Sequence, residues 1–242
     1  GVLIASHELS EDLMQNIALE LNLSETAFVS LSKNPFEIRW FTPNSEVDLC
    51  GHATLAAAHI LWTENFIQSS TVEFTSKSGP LFVKRRETDY QMSFPAQPGE
   101  STPALQSLVN SILGVDASFI ASNGSDCMAV VEDEDFVKRY VPNLALIAKL
   151  PERGFLLTTR AIETPVDYIY RGFFPKLAIP EDPVTGSANT ILAPYWATRL
   201  GKSLLRAYQA SPRGGQLGLE LENDRVLISG VAVTSLSGTL HL

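Results

Sequence analysis

Basic side chains are in short supply in this chain. Of its 242 residues, 18 are Lys or Arg against 27 Asp or Glu, a formal net charge of -9. A nucleic-acid partner needs a basic patch to meet its phosphates, and none is visible. Cysteine is scarcer still, with only Cys50 and Cys127. Two thiols do not make a disulfide scaffold, and free thiols suit a reducing cytosol, so a cytoplasmic location is expected. Histidine occurs four times, as His7, His52, His59 and His241. No pair has zinc-ligand spacing with further Cys or His nearby, which argues against a metal site. No apolar run reaches the roughly 18 residues of a membrane span, so no membrane partner is expected, and no signal peptide is visible. The chain opens at Gly1 rather than Met, as a processed or truncated end would.

What remains is an ordinary globular balance, 45% hydrophobic and 19% charged. That length suffices for one large domain or two of common size. An acidic protein that binds an anion must do so locally, through backbone N–H groups or a few placed side chains.

Residues Ser10 to Leu21 predict an amphipathic helix, with Ser10 as cap, Glu11 and Asp12 in the first turn, and Leu13, Ile17 and Leu21 on one face. Strands are predicted over Thr26–Ser32, Phe36–Thr42, Thr71–Ser76, Leu81–Arg86 and Tyr90–Phe94. The Pro/Gly/Ser stretch from Pro95 to Pro103 marks a boundary. The expected division is residues 1–98 and 104–232, with a final strand over 233–242 returning to the first half. Beyond the boundary, helix is predicted for Ala104–Leu113 and for Asp135–Leu150 with a break at Pro142. Cys127–Glu132, Phe155–Thr159 and Tyr168–Phe174 are predicted strands, and the tail from Leu204 is strand-rich.

The halves repeat. With Glu46 set against Glu181, Gly51 falls on Gly186, Ala53 on Ala188 and Ala58 on Ala193 without a gap. Cys50 meets Thr185 and His52 meets Ser187. Each half reads strand, Gly-containing turn, apolar helix, β-meander. Leu55 to Trp62 and Ile191 to Leu200 carry apolar residues on nearly every side, and Pro194 is expected to kink the second helix. A helix apolar all round must be buried all round. A central helix wrapped by a sheet, once per half, satisfies that demand.

A helix N-terminus offers unpaired N–H groups and partial positive charge, and a Gly turn lets a ligand approach the backbone. Gly51-His52-Ala53 and Gly186-Ser187-Ala188 are therefore candidate carboxylate cradles. A plain cap by Thr54 or Ser187 explains the same residues. His52 could shuttle a proton near neutral pH or simply cap and pack. Asp182, held extended by Pro183, could orient a substrate or only make an Asp-Pro turn. Cys50 could act as a base with a lowered thiol pKa, or fill space as a small buried residue.

"NLSETAFV" (Asn22 to Val29), "CGHATLA" (Cys50 to Ala56), "EDPVTGSA" (Glu181 to Ala188) and "YQASPRGG" (Tyr208 to Gly215) occur in that order along the chain. Together they resemble the phenazine-biosynthesis PhzF-like family, of the diaminopimelate epimerase and proline racemase superfamily. The resemblance implies an α+β fold of two pseudo-symmetric domains, each a sheet wrapped around a central apolar helix, with the active site in the cleft between them. It also implies cofactor-independent proton transfer and a homodimer. The family's proton-carrying glutamate falls on Glu25, its histidine on His52, its aspartate on Asp182, and its Gly-Ser pair on Gly186 and Ser187. In a closed, partly apolar cleft, the Glu25 pKa is expected to rise toward neutrality. Family members usually open with a strand and an Asn-Pro loop, and this sequence starts at about the end of that segment. The superfamily's racemases use two thiols. Cys50 occupies the place of one, while Thr185 and Asp182 stand near the other.

The reading is thus a cofactor-free isomerase acting on a small amino- or hydroxy-carboxylic acid. Glu25, His52 and Asp182 are its catalytic residues. Gly51, Ala53, Gly186, Ser187 and Cys50 are its substrate-binding residues. A racemase or epimerase using Cys50 is one rival. The other is a non-catalytic small-acid binding or interaction protein on the same fold.

Overall fold

The helix predicted from Ser10 forms over Glu11–Leu21 (α1), and the Ser10 hydroxyl accepts from the Leu13 N–H at 3.3 Å. It buries Met14, Ile17 and Ala18. It stops at Asn22, which adopts a left-handed conformation (φ 48°) and returns its N–H to the Ala18 carbonyl at 3.1 Å. Asn is one of the few non-Gly residues that tolerates this geometry.

The computed structural model describes residues 1–241, in two compact units. One comprises residues 1–92 with the chain from Ser229 on, the other residues 93–228. The Pro95–Pro103 stretch, expected at the division, falls inside the second unit. Residues 231–241 form no strand, against the strand expected over 233–242; Leu242 lies outside the described residues. The segment does return to the first unit, where Thr234 Oγ1 lies 2.9 Å from His59 Nε2.

The first unit contains β1 (Val2–Ala5), β2 (Thr26–Ser30), β3 (Phe36–Phe41), β4 (Glu46–Val47), α2 (Gly51–Thr63), β5 (Thr71–Ser76), β6 (Gly79–Arg85) and β7 (Tyr90–Pro95) as far as Met92. β1 pairs parallel to β2, β2 antiparallel to β3, β3 parallel to β5, β5 antiparallel to β6, and β6 antiparallel to β7. β4 adds a short antiparallel ladder to β3.

The second unit contains β8 (Glu100–Ser101), α3 (Gln106–Leu113), β9 (Phe119–Ser122), β10 (Asp126–Val130), α4 (Glu134–Arg139), α5 (Leu144–Ile147), β11 (Gly154–Arg160), β12 (Tyr168–Phe173), α6 (Asn189–Leu200), β13 (Leu204–Gln209), β14 (Gly215–Glu222) and β15 (Arg225–Gly230) as far as Ile228. β10 runs parallel to β11, β11 antiparallel to β12, β12 parallel to β13, and β13 antiparallel to β14. The sequence of pairing directions from β1 to β6 thus recurs from β10 to β14, and the repeat seen at the Gly turns extends through the sheets. The helix expected over Asp135–Leu150 with a break at Pro142 forms as two short helices, α4 and α5, and the gap at Tyr140–Asn143 contains Pro142.

Each unit is a sheet around an apolar helix. No residue from Gly51 to Trp62 is exposed, and α2 packs on β1, β2 and β6. Residues 188–193 are all buried, and α6 packs on β10, β13 and β14. Proline inside a helix removes the N–H that would bond the carbonyl four residues back. Here Pro194 leaves the Thr190 carbonyl free, and the Gln97 N–H takes it at 2.9 Å, so α6 continues to Leu200.

The left-handed turn at Asn22 sets where the chain enters β2. Asn22→Ala should cost about 1 kcal/mol by urea denaturation, because the new Cβ keeps the strain without the Asn side chain's local bonding. Asn22→Gly should stay close to the parent.

Candidate active site

Glu25 stands between the end of α1 and the first residue of β2. That strand lies between β1 and β3, so the carboxylate is carried inward and is only 6% exposed. α2 packs on the same strands, and its first turn presents His52. His52 Nε2 lies 3.0 Å from Glu25 Oε2. Cys50, the residue before the helix, is buried with its Sγ 3.7 Å from both ring nitrogens of His52. The Cys50 side chain makes no capping bond, and the Thr54 hydroxyl donates back to the Cys50 carbonyl at 2.7 Å. The N–H groups of Gly51, His52 and Ala53 therefore start a helix that no Thr54 cap closes.

Protonation in this cluster runs opposite to the sequence expectation for Glu25. Burial alone would raise its pKa, as expected. The His52 ring 3.0 Å away, with its charge, and the neighbouring Ser24 outweigh burial and hold the carboxyl below its usual value. Burial likewise works against a charged His52, but the adjacent Cys50 sulfur and the Glu25 carboxylate prevail and raise its pKa well above the ordinary value. The resting arrangement is an ion pair, with Glu25 ionised and His52 protonated.

The turns that start both central helices are tethered alike. Arg39 and Arg171 are each the fourth residue of their strands, β3 and β12. Arg39 donates to both carboxylate oxygens of Glu46, at 2.7 Å each. Arg171 does the same to Glu181, at 2.7 and 2.8 Å. Each guanidinium lies 5.1 Å from the ring centroid of a Phe two residues on, Phe41 or Phe173. Two-pronged Arg–carboxylate pairs are geometrically exacting, so the segments leading to Gly51 and Gly186 are fixed at equivalent points. The second clamp is the more enclosed, and Arg171 also donates to the carbonyls of Val137 and Tyr140.

In the second unit Asp182 is buried, and its Oδ2 accepts from the Thr185 hydroxyl at 2.5 Å. Its N–H bonds the Gly172 carbonyl at 3.0 Å. Gln209 holds both ends of the turn, donating to the Asp182 carbonyl at 2.6 Å and accepting from the Thr185 N–H at 2.5 Å. Tyr170 donates to the Thr185 carbonyl at 3.1 Å. Asn189 donates to the Gly186 carbonyl at 3.3 Å. Gly186 and Ser187 are half-buried, and a Cβ built on Gly186 would meet nothing within 4 Å. Gly186 is thus required neither by a positive φ nor by crowding. The repeat places a helix start at Gly186, but α6 begins at Asn189. The N–H groups of Asn189 and Thr190 bond the carbonyls of Gly186 and Ser187 at 3.0 Å each, forming a tighter turn first.

The structure therefore brings Glu25, Cys50, Gly51, His52 and Ala53 together in one unit, and Asp182, Gly186 and Ser187 onto one turn of the other. Gln209 carries no role in the sequence reading, although it sits in the quoted "YQASPRGG", and Thr185 enters there only as the counterpart of Cys50 in the repeat. Cys127 belongs to the core of the second unit. Burial, with the charges of Glu152 and Asp126, pushes its thiol up to about 12, so it stays protonated at neutral pH.

Two units of one topology, each a sheet around a buried helix entered through a Gly turn, define the diaminopimelate epimerase-like class of fold. A probable proline racemase from Agrobacterium radiobacter has this fold, with a TM-score of 0.55 at 10% identity, over 95% of this chain and 83% of that one. The chain belongs to the PhzC–PhzF family of phenazine biosynthesis-like proteins, whose profile matches residues 1–238. A crystal structure of a PhzF-family phenazine biosynthesis protein from Enterococcus faecalis superposes with a TM-score of 0.94 at 42% identity, covering 100% of this chain and 92% of that one. A protein of Halalkalibacterium halodurans named as an uncharacterized isomerase is 42% identical over 95% of this chain and 87% of its own.

Replacing Glu181 by Ala strands a buried guanidinium and should cost about 3–5 kcal/mol in denaturant unfolding. Glu46→Ala should cost less, since Arg39 is more exposed and keeps Glu11 as a partner.

His52→Asn removes the opposing charge but leaves Glu25 buried, so the Glu25 pKa should rise, read by NMR of its carboxyl carbon. The sign for stability follows. The depressed Glu25 contributes above its unfolded pKa of about 4.3, and that contribution is lost as pH falls through the lower folded value. The raised His52 contributes below its unfolded pKa of about 6.5, and that contribution is lost as pH climbs through the higher folded value. The parent should therefore show a stability plateau between these limits that His52→Asn loses.

Proposed function

We propose that the chain is a cofactor-independent isomerase that moves a proton on a small amino- or hydroxy-carboxylic acid. The observation that carries this reading is the buried Glu25 carboxylate held 3.0 Å from His52 at an uncapped helix start. An anionic substrate group is favoured there by the free N–H groups of Gly51, His52 and Ala53 and by the helix dipole. Glu25 takes the proton and returns it at another position, and His52 hydrogen-bonds the substrate as the proton leaves. Asp182, Gly186 and Ser187 enter through the family motif, Asp182 to orient the substrate and the Gly-Ser pair to bind it. The open space beside Gly186 suits a close ligand contact. The isomerase name of the Halalkalibacterium relative agrees with this class of reaction. A homodimer in the cytoplasm belongs to the same reading.

One observation favours a second reading. Cys50 Sγ lies 3.7 Å from His52, close enough for the thiol to serve as an acid or base in epimerisation. That chemistry would use a single thiol, since Cys127 is packed in a core.

Incubation with pools of small amino and hydroxy acids in deuterium oxide tests both readings by mass spectrometry. Wild type should place one deuteron on its true substrate, and Glu25→Gln should slow that step by roughly 10²-fold or more. Cys50→Ser should retain exchange, and its loss there would favour the epimerase. Tight binding of an acid with no exchange in wild type would make the chain a binding protein.

A further inference from the structure

We propose that Glu25, Cys50 and His52 form a binding site for a thiophilic divalent cation of the zinc type, and that an ion held there blocks the site. The blocking half rests on the proton-transfer reading above. The binding half does not.

The ligand atoms of the three residues all lie within 4.8 Å of one another. Nε2 and Oε2 are 3.0 Å apart, and Sγ and Nε2 are 3.7 Å apart. Zinc bond lengths at tetrahedral angles put a sulfur and a nitrogen ligand about 3.6 Å apart, and a nitrogen and an oxygen ligand about 3.4 Å apart. These two separations bracket the zinc values and the third donor pair lies within 4.8 Å, so side-chain adjustment brings the three donors to three corners of a tetrahedron. One sulfur, one imidazole nitrogen and one carboxylate oxygen suit zinc or cobalt and disfavour magnesium or calcium. A thiolate and a carboxylate together balance the charge of a divalent ion. The donors come from the start of a strand and the first turn of the helix packed on it, so little chain ordering is needed. The His52 side chain is 28% exposed, which gives an ion a way in and leaves the fourth position open. On binding, Cys50 gives its thiol proton and His52 its ring proton to solvent, and Glu25 exchanges its contact with His52 for one with the metal.

The proposed site departs from the sequence expectation that no metal site is present. Spacing rules count Cys and His within a short window, and the third donor here is a carboxylate two dozen residues upstream. With its donors occupied, the cluster can neither accept nor return a substrate proton.

The full chain, stripped with a chelator, is titrated with Co²⁺ and followed by absorption. One equivalent should bind with a thiolate-to-cobalt charge-transfer band and the strong visible bands of four-coordination, and Zn²⁺ should remove both. Cys50→Ser should abolish the charge-transfer band. His52→Asn and Glu25→Gln should each weaken Co²⁺ binding at least ten-fold, and Cys127→Ser should change nothing. Circular dichroism checks that each variant is folded, and the His52 and Glu25 variants decide the matter if Cys50→Ser is not. No band in wild type at millimolar Co²⁺, or a band that survives Cys50→Ser, would overturn the site. In the deuterium assay, Zn²⁺ should stop exchange in step with its binding. Binding that leaves exchange at full rate would overturn the blocking half and count against the proton-transfer reading, while the metal site itself would stand.

Discussion

A helix with no polar face needs cover on every side, and this one requirement organises each unit. Gly51 to Trp62 contains no exposed residue, and residues 188–193 are wholly buried. Cover of that extent needs strands on several sides, which the pairing from β1 to β7 and from β10 to β15 supplies. Burying the helix also buries its beginning. The N–H groups of the first turn then have neither water in bulk nor a preceding helical turn. They must be met by a side-chain cap or a ligand, or be removed by tightening the turn. The two units differ on this point. The second tightens the turn at Gly186–Thr190, while the first leaves the start of α2 beside Cys50, His52 and Glu25.

Such a start works only if the chain leading into it is held still. The Arg–Glu clamps do this without using any backbone group of the turn itself. Because the arginine sits on a central strand and the glutamate four or five residues ahead of the Gly turn, the clamp ties the turn to the most rigid part of the sheet. Its recurrence, with the same Phe beneath each guanidinium, shows the duplication preserved at the level of a single interaction. The copies have since diverged in depth. Arg171 is satisfied by buried carbonyls, whereas Arg39 shares its charge with Glu11 at the surface.

Much of this was legible in the sequence, because much of it is local. The Ser10 cap, the periodicity of α1 and the all-round apolar helices each need only a few neighbouring residues to recognise. The gapless match of Glu46–Ala58 to Glu181–Ala193 found the duplicated turns. What escaped depends on distant partners. β1 is four residues long and exists through parallel pairing with β2. The late start of α6 follows from carbonyls turning back to accept from Asn189 and Thr190. Arg39 and Arg171 leave no signal in the repeat, because they do not align with one another in the register that matches the Gly turns. Glu25 has no local signal at all. It sits in a polar stretch after a helix, and only the likeness of "NLSE" to a family motif marked it.

Burial alone gives the wrong direction for the protonation of Glu25. Desolvation acts on Glu25 and His52 in opposite senses, raising one pKa and lowering the other. The His52 ring, 3.0 Å away, reverses the desolvation of Glu25, and the Cys50 sulfur together with the Glu25 carboxylate reverses that of His52. A carboxylate stabilised in this way is a weak base at rest. In the proposed reaction an incoming substrate carboxylate changes the balance, because it competes with Glu25 for the His52 proton and for the positive end of α2. Drawing His52 toward the substrate removes the interaction that holds the Glu25 pKa down and leaves the desolvation that pushes it up. In that reaction Glu25 becomes a stronger base only when a substrate anion is present, so the ion pair that weakens the base at rest also links its strength to binding.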